Sequence, residues 1–367
     1  MITDPRSLVE AMLAAASTGP QGARARLGAA RGLMIADLTL AVSGRRGVGK
    51  TSLVNGLLGV TTGTRGLSAQ QRPLEVFGGS DRVPEWATST RALSPFLEGR
   101  RVVEVPDFAP ASRPQLLDAM RELRPDVLVY VAHEDLRADE VDTIHQSALA
   151  WGLGVSEVIV VLTDPLEDRA TYVEALRDVV ESTHRQSVGQ VVVESRLEPG
   201  RCRDTVRALE LAERYAVARR TAVVLEAVAT VSLEVEDLAW SARLRDDLER
   251  VALSPHCHVL RERWALDTAL SGLAQLDEEM LLDLRASYLS PAIHDAGGEL
   301  VRASLLRRAA KWQAEASRTS PRAAEVARTV VRSCQLRLAE LSTAATPREP
   351  GSRTEPTHQR DPAHVVA

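Results

Sequence analysis

The chain has 367 residues, of which 44% are hydrophobic, 26% charged and 3% aromatic, with a net charge near −5. This length accommodates two domains with cores of their own, the scarcity of aromatics leaves those cores to Leu, Val and Ala, and the mildly acidic balance argues against a nucleic-acid partner. Three dispersed cysteines, Cys202, Cys257 and Cys334, form no disulfide framework or thiol-rich metal pattern.

No apolar run reaches the roughly 18–20 residues of a membrane span. The N-terminus, with Asp4 and Glu10, lacks the basic-then-apolar order of a signal peptide. A reduced, cytoplasmic compartment is the expectation. Residues 5–17 read as a short helix with Asp4 as N-cap and Pro5 at the first helical position, closed by Gly19-Pro20. Residues 21–33, carrying Arg24, Arg26 and Arg31, read as a solvated connector, with an interaction arm as the alternative. Residues 1–33 thus form an N-terminal helix and connector.

From 34 to about 202, β-like runs alternate with helical ones, the signature of βαβ units and a mostly parallel sheet flanked by helices. The runs are 36–43, 73–78, 101–106, 127–132, 157–163 and 190–195. Helices are expected at 50–58, 112–124, 138–151, 168–184 and from 203 onward. The pair 73–78 and 101–106 has no confident helix between its members, which permits an antiparallel edge pair. Beyond 203 the strand signal ends. Helices are expected near 204–252 (one or two long ones), 256–287, 298–318 and 321–343, punctuated by Ser254-Pro255, Ser290-Pro291 and Ser320-Pro321, each an N-cap residue before a proline suited to the first helical position. Residues 203–343 are expected to form an all-α helical domain. Residues 344–367, with four prolines among mixed charges, read as a disordered tail.

One stretch carries chemistry. Gly44-Arg45-Arg46-Gly47-Val48-Gly49-Lys50-Thr51 fits G-x-x-x-x-G-K-[ST], between an apolar strand-like run and a helical one. Glycines at these places let main-chain N–H groups face phosphate oxygens. Lys50 reaches the terminal phosphates, Thr51 offers its hydroxyl to Mg²⁺, and the helix N-terminus with Ser52 adds its dipole. Lys50 and Lys311 are the chain's two lysines, and the other 43 of the 45 basic residues are arginine. A lysine kept at this place fits the need for a compact ammonium rather than a planar guanidinium.

The element order and the stretch from Gly44 through Asn55-Gly56-Leu57-Leu58-Gly59 resemble a GTPase G domain of the Ras/Era/dynamin superclass. A helical region behind a G domain is similar to bacterial dynamin-like layouts. The resemblance implies an α/β P-loop G domain followed by an all-α helical domain, with GTP and Mg²⁺ as cofactors. It implies that a Thr of the loop after the first helix closes over the metal and γ-phosphate, with Thr61, Thr62 and Thr64 as candidates and Thr64 preferred. It assigns Asp107, in Asp107-Phe-Ala-Pro110, to the magnesium side, although Pro110 replaces a glycine and lacks the N–H that would meet the γ-phosphate. The base-reading motif is degenerate. Thr163 matches its first position, Asp164 stands where lysine is expected, and Leu166 where the base-reading aspartate is expected, with Asp168 or Asp164 as substitutes. Ser195-Arg196-Leu197 is a weak fifth motif. Gln70 and Gln71 are candidates to orient a water. Arg46 occupies a loop position where a long side chain would crowd the γ-phosphate or serve as a built-in arginine finger.

These features lead to a GTP-binding switch or mechanical GTPase with slow hydrolysis, its helical domain binding a protein partner. A pseudo-GTPase scaffold and an ATP-using protein of the same fold are the alternatives. A homodimer and a peripheral membrane contact remain open, the latter through the apolar run 221–233, which reads first as a buried bundle helix. His256-Cys257-His258 has no completed ligand set and reads as structural.

Overall fold

The computed structural model describes residues 5–59, 74–78, 87–90, 94–105, 121, 124–133, 136–163, 188–194, 197, 202–289 and 298–344. Two helices, α1 (Pro5–Ala16) and α2 (Gln21–Ile35), precede strand β1 (Leu38–Gly44) and helix α3 (Lys50–Leu58). Strands β2 (Leu74–Gly78), β3 (Ala87–Thr90), β4 (Arg100–Glu104) and β5 (Val127–His133) follow, then α4 (Ala138–Trp151), β6 (Val158–Thr163) and β7 (Gln190–Glu194). The rest is helical: α5 (Arg203–Glu234), α6 (Leu238–Leu253), α7 (His258–Leu270), α8 (Glu278–Leu289), α9 (Gly298–Glu315) and α10 (Pro321–Ala344).

The strands form one sheet in the order β3-β2-β4-β1-β5-β6-β7. From β4 to β7 all neighbours are parallel; β2 runs antiparallel to β4, and β3 parallel to β2. The central strands read as continuous apolar runs because both faces are covered. On one face Leu128, Tyr130, Val160 and Leu162 meet Ile144, Ala148 and Trp151 of α4. On the other, Val42, Val129, Val131 and Val161 meet Leu53 and Val54 of α3 and Leu209, Ala212 and Ala216 of α5.

Helix α5 ties the molecule together. Its 32 residues extend about 48 Å. Its first half closes the sheet. Tyr215 and Ala218 enter a helical core with α7 to α10 around Trp312 and Tyr288. Val224, Val228 and Val231 pack with Val9, Met12, Leu27, Met34 and Trp240 of α1, α2 and α6. The apolar run 221–233 is thus part of a bundle helix. Among the described residues, no helix is long and apolar enough to cross a membrane.

The fold is the expected mostly parallel α/β sheet with flanking helices, followed by an all-α region, and it corrects several finer expectations. Residues 21–33 are not a connector: they lie in α2, whose Ala23, Leu27, Ala30 and Met34 are buried. The antiparallel pair β2–β4 forms, but β3 makes the outer edge beyond it. Of the one or two helices expected over 204–252 there are two, the second started by Asp237, whose carboxylate accepts from Trp240 N at 3.0 Å. The expected helix 256–287 breaks at Gly272, with φ 74°. Asp4, most of the expected helix 112–124, the expected helix 168–184, Ser290-Pro291 and residues 345–367 lie outside the described residues.

Candidate phosphate-binding site

The 44–51 loop leaves the carboxyl end of β1 in the middle of the sheet, where strand ends and a helix start converge. Gly44, Gly47 and Gly49 have φ of 144°, 84° and 98°, a region costly for residues with a Cβ. Gly44 is fixed twice over, because a Cβ there would stand 2.2 Å from the Val131 carbonyl oxygen of β5. At Gly49 a Cβ would meet Leu197 Cδ1 at 2.9 Å, so the leucine of the weak fifth motif packs against the loop. The loop runs directly into α3: Leu53 N donates to Gly49 O at 2.8 Å.

Lys50 is buried and turned back across the loop. Its ammonium donates to Gly44 O and Arg45 O, both at 2.7 Å. The loop curls around this charge. Thr51, one residue into α3, donates its hydroxyl to Glu104 Oε1 at 2.6 Å, a short charge-assisted bond. Glu104 is the last residue of β4 and is buried. It is a site residue that sequence reasoning missed. The signal was available, since a carboxylate interrupts the otherwise apolar run Val102-Val103-Glu104-Val105.

Thr163, at the carboxyl end of β6, is buried, and its hydroxyl donates to Val48 O at 2.8 Å with Ala132 O at 3.3 Å. The first position of the base-reading motif therefore braces the 44–51 loop. Arg45 points toward α4, pairing with Asp139 at 2.6 Å and Glu140 at 3.2 Å. Its guanidinium is engaged there, so its place in a phosphate cradle is its main chain. Arg46 is exposed and makes no ion pair among the described residues. Val48 and Ser52 occupy the loop wall and the first turn of α3. Thr61, Thr62, Thr64, Gln70, Gln71, Asp107, Pro110, Asp164, Leu166, Asp168, Ser195 and Arg196 lie outside the described residues.

His258 is committed elsewhere: its Nε2 is 2.9 Å from Ser333 Oγ, and burial lowers its pKa. Among the described residues no group of three or more His, Cys, Asp or Glu side chains could hold a metal ion.

The glycine loop, its lysine and the hydroxyl at the helix start thus meet at the carboxyl end of a central strand of a mostly parallel α/β sheet. No protein-family model matches the chain, and no curated protein matches it. Among solved structures it is similar to a chain of an oligomerised bacterial dynamin pair described as sensing and tethering membranes, at 14% identity and TM-score 0.41, covering 85% of this chain and 53% of that one. It is also similar to the LeoA bacterial dynamin GTPase from ETEC, at 15% identity and TM-score 0.38, covering 84% and 54%. A third likeness is to the chloroplast translocon GTPases atToc33 and psToc159, at 18% identity and TM-score 0.33, covering 54% of this chain and 92% of that one. The chain spans about half the length of the two bacterial dynamin chains. At these values the site geometry, not the likeness, carries the functional argument.

Proposed function

We propose that the protein is a GTP-binding switch or mechanical GTPase with slow intrinsic hydrolysis, coupling Mg-nucleotide binding at the 44–51 loop to its helical region. The observation that supports this best is the buried Lys50 ammonium on Gly44 O and Arg45 O, beside the Thr51 hydroxyl. Main-chain carbonyls are weaker partners for an ammonium than phosphate oxygens, so the loop is arranged to exchange them for a phosphate. Gly44, Arg45, Arg46, Gly47, Val48 and Gly49 would hold phosphate through main-chain N–H groups, with Lys50 as the counter-charge. Thr51, with Glu104 behind it, would hold Mg²⁺, joined by Asp107 and Thr64. A bound Mg²⁺ would neutralise charge on the phosphates and fix their geometry. Thr163 keeps the loop in place, and Asp164 would lie toward the base. Helix α5 connects this end of the sheet to both helical cores, a route for loop states to reach a partner surface.

Equilibrium titration with fluorescent GTP and ATP analogues, with and without Mg²⁺, tests this reading. Tighter GTP binding that requires Mg²⁺ supports it, and stronger ATP binding supports the ATP-using alternative. The absence of binding to either contradicts nucleotide dependence altogether. A scaffold that holds nucleotide without turnover is the second reading, favoured by Pro110, Leu166 and the exposed Arg46. Single-turnover hydrolysis separates the two. If Arg46 acts on the γ-phosphate, Arg46→Gly changes the rate more than about tenfold; an unchanged rate removes Arg46 from the mechanism.

A further inference from the structure

A second cavity, of about 580 Å³, lies at the opposite end of the sheet, between the last turn of α2, the first residues of β1 and β4, the end of α4 and the middle of α5. That volume falls within the range of small-molecule sites. Its walls carry Arg101, Arg121, Arg124, Arg219 and Arg220 against Asp37 and Asp126. This is a cationic concentration in a chain whose net charge is −5.

The arginines differ in how fully they are used. Arg220 is saturated: it forks onto Asp126 and donates to Leu33 O, Ala36 O and Asp37 O. It is the floor of the cavity. Arg219 is not. Its Nη2 is held loosely, at 3.3 Å from Asp126 and 3.5 Å from Pro125 O, and its buried Nε is ion-paired with Glu157 at 3.7 Å without a hydrogen bond. Arg124 is exposed, has φ 47°, and its side chain makes no ion pair or hydrogen bond among the described residues. Trp151 is only 8% exposed, and its indole N–H is buried without an acceptor. Buried donors are nearly always paired in folded proteins. Here a buried indole donor without an acceptor, a loosely held guanidinium and an exposed, unpaired one belong to residues that line one cavity.

We propose that this cavity is a second anion site, taking a soluble phosphate-bearing small molecule independently of the 44–51 loop. Planar guanidinium groups fork onto phosphate oxygens. The Trp151 N–H supplies a directional donor, and Leu33 and Val223 supply an apolar wall. Because Arg219 lies on α5, an occupant fastens the central helix to α2 and the base of the sheet.

The test is calorimetric titration of the full-length Lys50→Ala protein with inorganic pyrophosphate, the substitution removing the loop's own ammonium. Saturable binding is expected, with tryptophan fluorescence changing on the same isotherm. Arg124→Gln, at an exposed position, and Trp151→Phe, which keeps a ring and removes only the N–H, should each weaken binding about tenfold, and Trp151→Phe should abolish the fluorescence change. A melting temperature near that of the parent in both variants excludes misfolding. No binding in the Lys50→Ala protein, or binding indifferent to both further substitutions, would overturn the proposal. Capture by phosphatidic acid vesicles without any pyrophosphate binding would overturn the soluble-ligand assignment.

Discussion

Two buried charge clusters, the Arg220–Asp126 pair at one end of the central sheet and Lys50 with Thr51 at the other, are built on opposite principles. At the amino ends of the strands, Asp126 receives the Thr39 N–H at 2.9 Å and a forked Arg220, whose remaining donors meet three carbonyls. At the carboxyl ends, Lys50 rests on two main-chain carbonyls and Thr51 leans on Glu104. Complete mutual satisfaction marks a clamp between fixed parts. A cation parked on exchangeable partners inside a left-handed glycine loop marks a place where a ligand enters. Buried charge by itself does not distinguish structure from function; the identity of its partners does.

The largest effect is expected at the clamp. Arg220→Met leaves Asp126, only 3% exposed, with the Thr39 N–H and a long 3.3 Å contact to Arg219 in place of a forked guanidinium. The cost should be about 3–5 kcal/mol in urea unfolding, with nucleotide affinity unchanged in the protein that remains folded. A loss below about 1 kcal/mol would remove the clamp from the account.

Glu104→Gln should do the reverse. The amide oxygen can still accept from Thr51, so the melting temperature should stay close to wild type. The lost negative charge should weaken Mg²⁺-dependent nucleotide binding about tenfold. Equal affinity with and without the substitution, across a Mg²⁺ titration, would show Glu104 to be a strut and no more.

A smaller effect is expected where the sheet meets the helical region. Burial raises the Asp267 carboxyl from 3.8 to about 6; Arg263 opposes the shift and Glu157 adds to it. Its Oδ1 is buried without a hydrogen-bond partner. The folded state thus binds this proton more tightly than the unfolded state. The Asp267 contribution to stability falls as pH rises between 3.8 and about 6 and stays lower above that window. Asp267→Asn should therefore stabilise the protein at about pH 7.5, with the gain vanishing below about pH 4. Thermal melts across that range read it directly, and a gain that persists at low pH would refute this titration.

The sheet was legible in the sequence because its central strands are buried on both faces and read as apolar runs, as in Val127-Leu-Val-Tyr-Val and Val158-Ile-Val-Val-Leu. The 44–51 loop was legible because its glycines and lysine have no neutral substitutes. Helix α2 was not. Its buried stripe is Ala23, Leu27, Ala30 and Met34, half of it alanine, diluted by three glycines and three arginines, and its N-cap Pro20 offers no side-chain acceptor. Strand β3 is four residues of Ala, Thr and Ser at the sheet edge, too short and too polar to register. Glu104 did not stand out because the motif's acidic position falls on Asp107, three residues on. Its pairing with Thr51 joins residues 53 positions apart, a closeness that only the β1–β4 ladder and the turn into α3 create. The Arg220 clamp is equally long-range, at 94 positions from Asp126, and the arginine-rich composition hid it among many surface arginines.

The central claim is that the 44–51 loop takes nucleotide phosphate and that Lys50 is its counter-charge. Titration of wild-type and Lys50→Ala protein with a fluorescent GTP analogue in Mg²⁺ tests this most directly. The account predicts saturable binding to wild type and a loss of about 100-fold or more, near 2.7 kcal/mol, in the variant, with unfolding free energy little changed. Equal affinity in the two proteins, or no binding by wild type, would contradict it.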